Sequence, residues 1–525
     1  MSVFIGYPSF MAYQMMKGKK DNNDGFPSIP GMIARYSALG LTNEEMSKNP
    51  VWVDKTGNGH DLQMKNFLWG GMSGVGGYGD ENHLTFYKFT FDDYVFIAIK
   101  AGVKHMNFTF RVTGLQPGNK LTLAFFGTTN TVYGTWDKDG IYTVNSAVVE
   151  VGKPVYFYNG YGSTRGEFTI EILPLYPGAL VFDGVDDYGT CNNFPILTKE
   201  KGYTVVALRQ HLINTPTAYL TANGDSIENS SFIMEGNSLT DTWNFGKPTT
   251  IQISRILATQ TSKQYDGVNL NIGTNTESSN LLLVSKWNVR YSKVVIWELV
   301  FLDHDATEEE LTKIKDYFIK TYPWLFFDQA WTVVGKTNED KDRATIANIT
   351  GNGNDLILSN FGFIEGSGYN EEGEYAGYLV TDGVEDKTDS SAFEMGEDFT
   401  VVGEWKLLSM YSYAGIVKTN NLYVYNNIST GLRVYIRSGS VSTDVDGLKS
   451  LKAICSDGRV YGEDWTEYKL SIGSTTGSRS RLYLGYNSTS YTQIAFKNLG
   501  IYNNQILSKE DCIKAYNYLQ TLKAK

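Results

Sequence analysis

One turn-forming stretch occurs twice in the chain, and that repetition limits the folds open to it. Thr56-Gly57-Asn58-Gly59-His60-Asp61-Leu62, closed by Asn66-Phe67, returns as Thr350-Gly351-Asn352-Gly353-Asn354-Asp355-Leu356, closed by Asn360-Phe361. Eight of twelve positions are identical without a gap. Asn-Gly supplies the left-handed backbone of a hairpin turn, and the flanking alternation predicts strand, tight turn, strand in each copy. Four more landmarks keep the same order. Gly40-Leu41-Thr42-Asn43-Glu44 answers Gly335-Lys336-Thr337-Asn338-Glu339, and the run 180–187 answers 379–386. Tyr203-Thr204-Val205-Val206 answers Phe399-Thr400-Val401-Val402, and 307–318 answers 508–519. The chain is a duplicated domain.

The spacings locate an insertion. Thr56 and Asp183 are 127 positions apart, whereas Thr350 and Asp382 are 32 apart. The first copy therefore carries about 95 extra residues in a surface loop, where insertions are tolerated. The predicted division is 1–32 as an N-terminal attachment segment, 33–79 and 178–326 as the two parts of the first copy, 80–177 as the insert, and 327–525 as the second copy. Such sizes suit single domains.

The predicted fold is all-β. Within the insert, Met106, Phe108, Phe110 and Val112 alternate with polar residues, and so do Phe168, Ile170 and Ile172. A small two-sheet sandwich follows from that pattern, similar to fibronectin-type or carbohydrate-module sandwiches. Each copy reads as short strands and turn clusters ending in one helix, the composition of a double-sheet jelly roll. The helices fall at 313–319 and 513–519, opened by the capping signatures Thr307-x-x-Glu310 and Ser508-x-x-Asp511. Pro323-Trp324 marks the boundary between copies.

Charge and composition exclude several functions. A net charge of −11, with no basic block beyond Lys17, Lys19 and Lys20, argues against nucleic acid as a partner. No run approaches the ~18 apolar residues of a membrane helix, so no membrane insertion is expected. The N-terminal lysines follow the apolar residues, so no signal peptide is read and synthesis is expected in a cytoplasm. Cys191, Cys455 and Cys512 lie far apart in sequence without a Cys-x-x-Cys spacing, and are read as reduced, buried residues. Phe4, Tyr7, Phe10, Met11, Tyr13, Met15 and Met16 give the N-terminal segment apolar surface. It either packs back on the first copy or docks on a partner protein.

Two resemblances add to this reading. With Trp52, Asp54 and the 56–59 turn upstream, Phe182-Asp183-Gly184-Val185-Asp186-Asp187-Tyr188 resembles a concanavalin A-like, laminin-G-like jelly-roll domain. The fold implied is two concanavalin A-like jelly-roll sandwiches in tandem, with a small β-sandwich inserted in the first. The second copy departs from the pattern at Ile346, Asn348, Glu385 and Lys387. Residues 33–37, 61–67 and 70–79 resemble virion fibre and decoration proteins of tailed phages of gut Bacteroidales, including crAss-like phages. That resemblance implies a head fibre or capsid decoration protein on the virion surface. It would attach to capsid or other virion proteins through the N-terminal segment, form a homo-oligomer and meet host-surface glycan. The alternatives are a secreted or cell-surface carbohydrate-binding protein of the bacterium and a glycoside hydrolase.

Candidate chemistry is sparse. The Glu-x-Asp-x-x-Glu run of laminarinase-like relatives, which sets alternate carboxylates on one strand face, is missing. Glu404 stands without a neighbouring acid, and His60, His83, His105, His211 and His304 show no metal or triad spacing. No enzyme, catalytic residue, cofactor or metal is expected. Asp183, Asp186 and Asp187 read either as calcium ligands or as carboxylates capping a turn. Trp69, Tyr78, Tyr369, Tyr375 and Tyr378 are candidate sugar platforms, and neither a binding face nor the glycan is assigned.

Overall fold

The computed structural model describes residues 24–67, 69, 76–78, 87–91, 94–98, 103–126, 130–150, 155–159, 168–173, 176–197, 202–212, 219–223, 232–235, 250–256, 263–264, 270–272, 280–350, 353–408, 415–427, 431–437, 443–445, 448–473, 479–486 and 490–524. In it the duplicated stretch is a loop organised by one side chain. Asp54 accepts from the amides of Arg35, Thr56 and His60 and from the Thr56 hydroxyl. Asn348 Oδ1 accepts from the Ala330 and Thr350 amides and the Thr350 hydroxyl. Asp61 and Asp355 accept from the amides of Asp54 and Asn348, each at 2.8 Å. The tight turn expected from Asn-Gly is therefore a wider loop. Pairing resumes only at Trp52 with Leu62 and Ile346 with Leu356, because side-chain oxygens have taken the amides in between. Left-handed φ falls on Gly57 and Gly59, and on the closing Asn66 and Asn360, both at 68°. Each of those asparagines donates to the carbonyl of Asp186 or Glu385, which ties two landmarks together.

Each copy is a pair of antiparallel sheets around an apolar core. In the first, Met32–Ser37, Lys293–Leu302, Tyr203–His211, Thr250–Ile256 and Lys263–Gln264 lie in that order, with Leu180–Asp183 also on Lys293–Leu302. The facing sheet runs Val51–Trp52, Leu62–Lys65, Tyr188–Cys191, Leu282–Val284, Tyr219–Asn223, Phe232–Glu235 and Leu270–Ile272. In the second copy, Gly368–Asn370, Tyr378–Val380, Ile494–Asn503, Phe399–Leu407, Leu451–Cys455, Arg459–Gly462 and Glu467–Lys469 form the inner sheet, joined by Gln329–Thr332. Its outer sheet runs Thr345–Ile346, Leu356–Ser359, Lys387–Ser390, Tyr483–Leu484, Gly415–Lys418, Leu422–Asn427, Gly431–Ile436 and Thr443–Val445. The all-β, sandwich fold class holds.

Among the described residues, three α-helices punctuate the sheets: α1 (Asn43–Lys48), α2 (Glu308–Thr321) and α3 (Lys509–Leu519). Thr307 and Glu310 form the predicted capping box of α2, and Ser508 Oγ accepts from the Asp511 amide at the start of α3. Leu311, Ile314 and Phe318 of α2 and Cys512, Ile513, Tyr516 and Leu519 of α3 are buried in one cluster that continues across both copies. Cys455 and Cys512, distant in sequence, come to 4.0 Å, and all three cysteines are free and buried.

Between 76 and 173 the strands form two more sheets. One runs Gly140–Glu150, Val103–Thr113, Phe168–Leu173 and Tyr87–Phe91; the other runs Gly76–Tyr78, Tyr94–Ala98, Val155–Asn159, Leu121–Phe126 and Asn130–Trp136. Phe110, Leu121, Leu123, Phe157, Phe168 and Ile170 are buried between them. This pair rests on the second copy as well as the first. Arg111 bridges Glu171 at 2.8 Å and Glu510 of α3 at 2.9 Å, and Lys138 meets Asp464 at 3.0 Å. Of the N-terminal segment, the described part packs on the first copy: Ile29 is buried, and Phe26 meets Tyr317 edge-on at 4.8 Å. Residues 1–23, which carry its other aromatics, methionines and lysines, lie outside the described residues.

Candidate functional site

The outer sheet of the second copy presents a face that the core does not use. Along Leu422–Asn427, Leu422 and Val424 enter the core while Tyr423 and Tyr425 turn away from it. Along Gly431–Ile436, Leu432, Val434 and Ile436 enter the core, leaving Arg433 and Tyr435 on the other side. Strand alternation forces this division, since successive side chains point to opposite faces. Cross-strand register then aligns one row over seven strands: Thr345, Ile357, Asp389, Tyr483, Lys418, Tyr423 and Tyr435 are consecutive partners. At ~4.8 Å per strand, the stretch from Asp389 to Tyr435 spans about 19 Å, long enough for a short oligosaccharide.

The tyrosines hold one another in place. Tyr423 and Tyr425 stack at 5.0 Å and 20°, Tyr425 and Tyr435 at 5.5 Å and 10°, and the Tyr425 hydroxyl donates to that of Tyr435 at 3.3 Å. Burial first, and then this hydrogen bond, push the Tyr425 phenol up to about 12, so it stays a neutral hydrogen-bonding group near neutrality. Tyr483 and Tyr486 meet at 6.3 Å and Tyr486 and Tyr491 at 5.0 Å. Lys418 lies 5.5 Å over the Tyr423 ring and Lys387 lies 5.9 Å over Tyr486. Rigid rings with hydroxyl rims give wide amphipathic contact at small entropic cost.

The first copy lacks this row. Its matching register runs Gln63, Thr190, Leu283, Ala222, Ile233 and Asn271, where the second has Ile357, Asp389, Tyr483, Lys418, Tyr423 and Tyr435. One scaffold therefore carries two different rows: the stacked tyrosines of this register belong to the second copy, while the first has Tyr188 and Tyr291 at 6.1 Å with Lys286 over both.

The residues singled out in the sequence fall elsewhere. Tyr369 is buried and donates to the Arg343 carbonyl; Tyr378 is buried and donates to Glu404. Tyr375 is half-buried beside Tyr378, and the Tyr78 side chain lies outside the described residues. Trp69 stacks on Phe67 at 4.5 Å and 8° and lines a cleft of about 300 Å³ together with Leu41, Arg111, Glu171 and Glu510. His60 sits edge-on to Phe194 at 5.6 Å, in the loop already described.

Asp183, Asp186 and Asp187 do converge, with one carboxylate oxygen of each within 4.8 Å of the others, and Asp183 and Asp187 accept from backbone amides. Asp183 Oδ1 accepts from the amides of Val185, Asp186 and Asp187, and Asp187 Oδ2 accepts from that of Asp183. Asp382 and Asp386 repeat the arrangement with Val384, Glu385 and Asp386 in the second copy. Turn capping accounts for the landmark. Burial pushes the Asp386 carboxyl up to about 6.

Neither a family model nor a curated protein matches the chain. Among solved structures, Trypanosoma rangeli sialidase aligns with 82% of this chain and 71% of its own at 9% identity and a TM-score of 0.27. A botulinum neurotoxin type C structure, described as depending on two ganglioside molecules for cell entry, aligns with 62% of this chain and 90% of its own (8% identity, TM-score 0.24). A truncated AlyQ with CBM32 and alginate lyase domains aligns with 62% and 92% (8% identity, TM-score 0.20). Likeness this low assigns no residue a role. The sialidase matches nevertheless correct the expectation that this chain is no enzyme. A missing local motif rules out one arrangement of acids, whereas a β-sandwich can assemble a site from strands far apart in sequence.

Proposed function

We propose that this chain is a glycan-binding display protein whose contact face is the tyrosine row of the second copy. The observation that carries the reading is the row Asp389, Tyr483, Lys418, Tyr423 and Tyr435, absent at the matching positions of the first copy. Aromatic planes flanked by charged and hydroxyl groups suit a ligand that alternates apolar C–H faces with hydroxyls. On a glycan array, the native chain should bind a restricted set of glycans. Tyr423→Ser with Tyr435→Ser should weaken that binding by about 10–100-fold, from ~1 kcal/mol for each lost ring contact. No binding by the native chain would remove the glycan reading; equal binding by the variant would move the site off this face. Release of reducing sugar from the array would turn the reading from binding to turnover.

The setting we propose is the surface of a virion. Its support is the sequence resemblance of residues 33–79 together with the aromatic and methionine-rich stretch before residue 24. In this reading the stretch tethers a homo-oligomer to capsid proteins, made in the host cytoplasm, and 80–177 is a domain inserted in the first jelly roll. Cyclic closure is the simplest arrangement for identical subunits. Chains lacking residues 1–23 should stay folded and fail to co-sediment with particles deprived of the native subunit. Equal co-sedimentation of full-length and shortened chains would refute the tether.

A further inference from the structure

Resting on the glycan reading of this face, we infer that the ligand is an acidic glycan, one bearing carboxylate or sulfate groups. Four cations stand on the face: Lys387, Lys418, Arg433 and Arg481. Among the described side chains Asp389 is the acid in this row, engaged by Arg481 at 3.4 Å, and backbone register sets position 444 opposite Arg433. Lys387 and Lys418 remain, and among the described residues neither forms a salt bridge with a carboxylate. Both sit over tyrosine rings, at 5.9 and 5.5 Å, so an anionic group that reaches either ammonium is already above an aromatic surface.

The remainder of the chain has the opposite charge. A net charge of −11 repels polyanions at long range, so positive charge gathered on one aromatic face works against the trend of the molecule. In the first copy the positions matching Lys387 and Lys418 are Tyr188 and Ala222. The first copy places its own lysine differently, with Lys286 4.2 Å over Tyr188 and 5.3 Å over Tyr291, so the row of cations and tyrosines from Lys387 to Tyr435 is particular to the second. Complementary charge selects partners by admitting anions and leaving neutral chains with stacking alone.

The test titrates the full chain with polygalacturonate, dextran sulfate, neutral dextran and polyglutamate, at low and high salt. Polygalacturonate or dextran sulfate should bind at least about tenfold more tightly than dextran, and the difference should shrink as salt rises. Whichever of the two binds better tells carboxylate from sulfate. Lys387→Gln with Lys418→Gln should abolish the preference and leave thermal unfolding unchanged. Dextran bound as tightly as the acidic chains would overturn the inference while leaving the glycan reading standing. No binding of any polysaccharide, on these probes and on the array, would remove both. Polyglutamate bound as tightly as polygalacturonate would make the partner an acidic protein and overturn the inference. So would concentration-dependent self-association that is abolished by Tyr423→Ser, because the face would then be a contact between copies.

Discussion

Glu404→Ala lowers the stability of the second jelly roll by about 3–5 kcal/mol, the cost of breaking a buried ion pair from one side. Glu404 lies beneath α3 with 3% of its side chain exposed. It accepts from Tyr378 at 2.6 Å and Tyr516 at 2.5 Å, and Lys452 stands 3.8 Å away. Burial alone would push this carboxyl up. The charges of Lys452 and Lys497 and the two hydroxyls outweigh that effect and hold it at about 2. Lys452 pays more than it gains: complete burial draws its ammonium down despite Glu404. Removing Glu404 leaves that ammonium without its main counter-charge, with Glu463 the lesser one. Because the folded-state value of Glu404 lies below the ordinary carboxylate range, its stabilisation is fully present above pH ~4.5 and fades as pH falls through about 2. The gap in melting temperature between native and Glu404→Ala chains should therefore be constant near neutrality and narrow in acid. A gap unchanged down to that range would mean the carboxylate's charge contributes nothing.

A loss of similar size follows from Arg35→Ala in the first copy. Arg35 meets Glu298 twice, at 3.1 and 3.2 Å, donates to Tyr317 at 2.8 Å and clasps Asp24 at 2.8 and 2.9 Å. Phe26 covers the guanidinium at 4.0 Å, and Tyr322 donates to Glu298 at 2.8 Å. Burial pushes the Glu298 carboxyl up, and Arg35 is the main opposing influence. Either single truncation strands a buried charge, at about 3–5 kcal/mol. Arg35→Met combined with Glu298→Leu replaces the pair by apolar groups and should recover most of the loss. Denaturant unfolding of the native chain, Arg35→Met, Glu298→Leu and the double variant, taken as a double-mutant cycle, reads the coupling directly. Additive losses in the double variant would show that the pair does not act as a unit.

These two networks show which part of the molecule was legible in the sequence. The turns were legible because their geometry demands particular residues at fixed spacing. Asp54 or Asn348 collects amides, Asn66 and Asn360 go left-handed, and Asp183 and Asp382 cap the next turn. Identity therefore survived duplication there. The polar layers beneath α2 and α3 were not legible, since Glu404 finds Tyr378 26 positions away and Tyr516 112 away. Read locally, Glu404 had no partner and Tyr378 looked like a surface platform. The tyrosine row was hidden for the same reason. Alternation in Leu422-Tyr423-Val424-Tyr425 and Leu432-Arg433-Val434-Tyr435 marks two strands with tyrosines on one side. Nothing local brings Tyr483 and Asp389 beside them, because their register is set by strands that the chain visits out of order.

The cleft beside Trp69 is the competing location for a ligand, with stacked rings and a charged rim of its own. Hydroxyl-radical footprinting of the full chain, with and without the tightest-binding glycan from the array, separates the two. The account predicts that protection falls on Tyr423, Tyr435 and Tyr483 and leaves Phe67 and Trp69 unchanged. Protection of Phe67 and Trp69 with the three tyrosines unaltered would contradict it.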